Sequence, residues 1–107
     1  MLRKIFDWFI QLFHREKLYK YEFADDIPDK TSPYTVYLIG NQGYYWQAVM
    51  ICPCGCRKLL HMNLMDDYDP YWNYILDGKV ISLAPSINRL VGCKSHFFVT
   101  NGKIEWC

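Results

Sequence analysis

The sequence predicts a β-rich α+β protein, with an N-terminal amphipathic helix followed by a small antiparallel sheet of hairpins. Three observations predict it. Apolar residues recur at helical spacing before Leu18, aromatic and β-branched residues alternate with polar ones after it, and Gly-containing turn dipeptides punctuate that second part. At 107 residues there is room for one domain. We divide it into a helix over residues 1–17 and a β-rich domain over 18–107, with no repeat or linker between further units.

On a wheel of about 100° per residue, Leu2, Ile5, Phe6, Phe9, Ile10, Leu12 and Phe13 share one broad face. Arg3, Lys4, Asp7, Gln11, His14 and Arg15 lie opposite. The ordinary use of such a stripe is to pack on the domain's own sheet. With Trp8 and several Phe it also suits docking on a partner or contact with a membrane surface. Asp7 and Gln11 interrupt the apolar run and no small-residue cleavage site follows, unlike a signal peptide. The run is also shorter than the roughly 20 residues a bilayer span needs. The segment is therefore read as retained and the protein as cytoplasmic.

Next come strands. Tyr19, Tyr21 and Phe23 alternate with Lys20 and Glu22, and a turn-rich stretch runs from Asp25 to Pro33. Strands at about Tyr34–Ile39 and Tyr44–Ile51 flank Gly40-Asn41-Gln42-Gly43. Arg57 to Met65 reads as a returning strand and Asp66 to Pro70 as an acidic turn. Asp77-Gly78 and Asn101-Gly102 mark two more hairpins, joining about Trp72–Leu76 to Lys79–Leu83 and about Phe97–Thr100 to Lys103–Trp106. Between these hairpins, Pro85 to Leu90 predicts one short helical turn, with Pro early in it.

A composition of 51% hydrophobic and 18% aromatic residues with only six Gly and five Pro belongs to a chain that folds. Twelve basic and eleven acidic side chains give a net charge of +1, so there is no basic footprint for nucleic acid. A core this small gains from a staple. Five cysteines are present, three within Cys52-Pro53-Cys54-Gly55-Cys56. They sit too close to pair comfortably with one another, and reduced thiols favour metal over disulfides.

Zinc takes four Cys or His ligands in tetrahedral array, and small domains place them on turns brought together in space. One turn offers Cys52, Cys54 and Cys56; the other, Gly92-Cys93-Lys94-Ser95-His96, offers Cys93 and His96. Five candidates compete for four places. The first choice is Cys54, Cys56, Cys93 and His96 with Cys52 outside, and the rival is an all-cysteine site that frees His96. Cys107 has no partner nearby in sequence. A closed structural site is expected, because catalytic zinc keeps an open position.

For nucleophilic chemistry a hydroxyl needs a base within hydrogen-bond reach. Ser82, Ser86 and Ser95 lie near the second half of the cluster, and His61 on the strand leaving the first. Ser95 and His96 are adjacent, so on an extended segment they point to opposite faces and make a poor pair. Ser86 follows Pro85 near the expected helical turn, where it serves either an oxyanion site or an ordinary cap. By themselves these residues do not assign an enzyme.

The strings Cys52-Pro53-Cys54-Gly55-Cys56, Ser82-Leu83-Ala84-Pro85-Ser86-Ile87, Gly92-Cys93-Lys94-Ser95-His96-Phe97-Phe98 and Asn101-Gly102-Lys103-Ile104 resemble the BubE-like family of bacterial ubiquitination-like operons. The resemblance runs from about Ile27 to Trp106. The family's marks fall on Cys52, Cys54, Cys56, Ser82, Ser86, Cys93, Ser95 and His96. Glycine commonly follows the third cysteine in that pattern, where this chain has Arg57. The resemblance implies a serine-type peptidase that trims a ubiquitin-like tail or removes it from targets, beside a ubiquitin-like protein and E1-like and E2-like enzymes of the same operon. Ser86 is then the expected nucleophile, with His61 or an unligated His96 as base. A non-catalytic zinc module that recruits the conjugation enzymes is the alternative.

Overall fold

The computed structural model describes residues 18–89 and 92–107. The helix expected over residues 1–17 lies outside them. Within them the protein is all-β, with eight strands and no helix, which replaces the α+β expectation. The strands are β1 (Lys20–Ala24), β2 (Thr35–Asn41), β3 (Tyr44–Ile51), β4 (Leu59–Asn63), β5 (Asn73–Asp77), β6 (Val80–Asn88), β7 (His96–Thr100) and β8 (Lys103–Trp106). Their order is β4-β3-β2-β1-β6-β7-β8, with β5 also paired to β6.

The sheet is mixed rather than a set of antiparallel hairpins. β1 pairs β2 in parallel, from Lys20↔Thr35 to Ala24↔Ile39. Parallel neighbours need a connection that carries the chain back to its starting level. Residues 25–34 do this across the outer face of the first half of the sheet, where Ile27 packs on Tyr37, Ile39 and Val49, and the Tyr37 hydroxyl accepts the Ser32 N–H at 2.8 Å. Buried on both faces, β2 reads as a continuous apolar run, so neither alternation nor a turn dipeptide marked its direction.

Two four-stranded halves, β4-β3-β2-β1 and β5-β6-β7-β8, meet in sequence order through one bridge, Lys20↔Val80. Both line one core. Val36, Leu38, Ala48, Met50, Leu60 and Met62 from the first half cluster with Ile81, Leu83, Ile87, Phe97 and Val99 from the second. Burying these side chains is the main stabilising term, about 1.5–3 kcal/mol for each large one.

Two hairpins follow the sequence closely. Asn101 and Gly102 both take positive φ (50° and 78°) between Thr100 and Lys103, as a primed turn requires. The β5–β6 turn sits one residue later than expected. Asp77 still pairs with Val80, and the central residues are Gly78 and Lys79, with Gly78 at φ 61°.

The larger correction concerns Pro85 to Leu90. No helical turn forms among its described residues, Pro85 to Arg89, and β6 runs through to Asn88. Ala84, preceding proline, is biased toward extended backbone, and Ile87 is needed in the core opposite Phe97. Between Leu83↔Val99 and Ile87↔Phe97, β6 places Ala84, Pro85 and Ser86 against the single residue Phe98. Strand β6 thus bulges by two residues, and Pro85, with no N–H to offer a ladder, occupies the unpaired stretch.

Candidate functional site

The β3–β4 and β6–β7 turns lie side by side. Cys52 follows β3 directly and donates its N–H to Lys58 O (2.8 Å), and the tight loop beyond it carries Cys54 and Cys56 with Gly55 at φ 94°. Cys93 stands on the facing turn, closed by Arg89 N–H to Ser95 O (2.8 Å). The sulfurs of Cys52, Cys54, Cys56 and Cys93 all lie within 4.8 Å of one another. Cys52 Sγ is 3.4 Å from Cys54 Sγ and 3.6 Å from Cys93 Sγ. Four sulfurs around one zinc at ordinary bond length stand about 3.8 Å apart. The geometry and the soft donor set therefore fit a tetrahedral thiolate site.

The cluster carries its own electrostatic support. Ser95 Oγ lies 3.0 Å from Cys93 Sγ and 3.9 Å from Cys52 Sγ. Arg89 directs Nη1 to Cys93 Sγ at 3.1 Å and to Cys56 Sγ at 3.3 Å, setting a cation against the sulfurs. The Ser95 hydrogen bond foremost, then that from Cys54, pulls the Cys93 thiol down to about 5, into the range of a ready ligand. Cys54 is pushed up to about 11, chiefly by its hydrogen bond with Cys93. Gly92, at φ 73°, leaves the guanidinium its place, because a Cβ there would stand 3.0 Å from Arg89 Nη2.

These placements reverse the first-choice ligand set. Cys52, expected outside, is buried in the cluster, and His96 is turned elsewhere. Phe97 points into the core, so its neighbour His96 faces the opposite, outer side of β7. There His96 Nε2 lies 2.9 Å from Ser86 Oγ, both residues half-buried. The β6 bulge carries Ser86 to this position, and Trp72 Nε1 donates to the Ser86 carbonyl at 3.4 Å.

The remaining candidates do not join them. His61 alternates with the core residues Leu60 and Met62 and lies opposite Val49, so it faces out from the other half of the sheet, 3.4 Å from Gln47 Oε1. The core separates it from Ser86. Ser82 Oγ accepts the Asn101 N–H at 2.8 Å and serves the β7–β8 turn. Ser95 is buried against the cysteines. Cys107 stays apart from the thiol cluster, with its N–H on His96 O at 3.0 Å. Sequence reasoning passed over Arg89. A lone arginine four residues before a turn cysteine carries no pattern.

The described residues form an all-β domain in which Ser86 on the bulged strand β6 pairs with His96 on β7, next to a four-cysteine cluster. The chain belongs to the BubE family: a family model described as "Bacterial ubiquitination-like system serine protease (BubE)" matches residues 23–107. No curated protein and no solved structure matches the chain. No helix among the described residues is long and apolar enough to cross a membrane.

Proposed function

We propose that this protein is a serine peptidase that trims or removes a ubiquitin-like modifier, with Ser86 as nucleophile and His96 as general base. The observation that carries the reading is the 2.9 Å approach of Ser86 Oγ to His96 Nε2. Neutral His96 accepts the hydroxyl proton at Nε2 as Oγ attacks the scissile carbonyl, then returns it to the leaving amine as the C–N bond breaks. The same nitrogen then takes a proton from the water that attacks the acyl-serine ester and passes it to Ser86 Oγ as the ester C–O bond breaks, restoring the free hydroxyl. Cys52, Cys54, Cys56 and Cys93 would hold a zinc, which would supply folding energy rather than an open catalytic position. Cys93 lies three residues before His96, so the same site would help fix where β7 begins. Reduced thiols suit a cytoplasmic setting, and the partners are the ubiquitin-like, E1-like and E2-like proteins of the same operon.

The test is to incubate the protein with that ubiquitin-like protein, carrying a short C-terminal extension or joined to a target, and follow intact mass. Cleavage by the wild type and none by Ser86→Ala is the expected result. Cleavage that survives Ser86→Ala rejects this nucleophile. A wild type that binds the E1-like or E2-like protein and never cleaves is a recruiting module instead.

A further inference from the structure

The second half of the sheet stops being symmetrical at the bulge. Strand β5 pairs with β6 only from Val80 to Ala84, and at Trp72 the chain leaves, its N–H bonding Asn63 O at 2.8 Å at the end of β4. Among the described residues, β6 beyond Ala84 therefore has a strand, β7, on one flank only. Main-chain groups alternate along a strand. Arg89 N–H points toward β7, where Ser95 O receives it, so the N–H and C=O of Asn88 point to the flank that β5 has vacated. Ser86 C=O faces the same way, and the Trp72 indole takes it. Asn88 itself is exposed and sits directly across the ladder from His96.

Resting on the peptidase reading above, we infer that this flank is the substrate cleft: an extended peptide is held as an added strand against the main chain of Asn88, beside Ser86. A donor and an acceptor directed off a strand edge are matched by another extended backbone and by little else. Trp72 occupies the carbonyl of Ser86, so pairing starts at Asn88. Two residues along a strand span about 7 Å. The peptide bond presented to Ser86 Oγ is therefore one or two residues from the one paired with Asn88. Recognition through main-chain groups also suits a protease that must accept one tail joined to many targets.

The test uses the Ser86→Ala protein, which binds without turnover, and a synthetic peptide copying the C-terminal tail of the ubiquitin-like protein of its system. Single peptide nitrogens are methylated in turn, and Kd is measured by calorimetry. Strand addition gives a period of two: methylation opposite Asn88 weakens binding by about tenfold, as expected for one lost hydrogen bond, and methylation of the adjacent nitrogens has little effect. On the protein side, Asn88→Pro removes a donor that faces away from β7. It should weaken the unmodified peptide by about tenfold at unchanged metal content and melting temperature. If that variant fails to fold, the methylation scan alone decides. A flat scan, or no binding at millimolar peptide, overturns the strand-addition cleft even where the wild type cleaves. Alternating binding with no wild-type cleavage upholds the cleft and removes the peptidase reading.

Discussion

The two outer faces of the sheet each present a histidine, and they differ in what the backbone does beside it. His61 lies on the regular β3–β4 ladder, in an open hollow of about 570 Å³ with Tyr44, Trp46, Gln47, Asn63 and Met65. His96 lies where β6 breaks register, and the break brings Ser86 to its Nε2. Among the described residues no serine or cysteine lines that hollow, whereas Ser86 Oγ stands within hydrogen-bond reach of its histidine. A regular ladder repeats its neighbours at fixed spacing, whereas a bulge can aim one side chain out of turn. The serine–histidine contact in this fold follows that irregularity.

The sharpest way to break this comparison is to remove each side in turn. Ser86→Ala and His96→Gln are expected to lower cleavage of the extended ubiquitin-like protein by about a thousandfold or more. His61→Ala leaves the rate as it was. If His96→Gln also empties the zinc, as measured by elemental analysis, then His96 is a ligand and the comparison fails. Next in size is the cluster that anchors the bulged side. Cys52→Ser should lose metal together with its cooperative thermal transition, because metal binding in so small a domain is folding energy. Cys107→Ser should keep both.

Arg89→Met sharpens the same point, since it removes a cation and the N–H···S bonds while keeping a stem of similar length. Metal should then pass to a competing chelator about ten- to a hundredfold more readily, the usual weight of an outer partner. The smallest effect belongs to Ser82→Ala. Loss of its bond to Asn101 N–H should cost about 1 kcal/mol, seen as a fall of a few degrees in melting temperature with cleavage unchanged.

The hairpins and the thiol cluster were legible because their signals are local. Asn101-Gly102 states its own φ angles, and three cysteines within five residues state a ligand loop. What was not legible depends on partners distant in sequence. The parallel pairing of β1 with β2 rests on a ten-residue crossing whose composition resembles that of any turn. The path of Pro85 to Asn88 depends on Ile87 being required opposite Phe97, which outweighs a proline placed well for a helix. Which of the five candidates come together turned on burial. Cys52 is drawn inward at the end of a core strand, whereas Phe97 takes the inward position on β7 and leaves His96 facing out.

The uneven sharing of the cluster also bears on assembly. Cys52 and Cys93 stand 41 residues apart, while Cys52, Cys54 and Cys56 fall in one short loop. A chain still unfolded thus already offers three thiols close together. A metal taken up by the cluster would bind the unfolded form in part and forfeit some of its preference for the native one. Cys93 would complete the coordination only as the two halves of the sheet meet, on the same segment that carries His96 to Ser86.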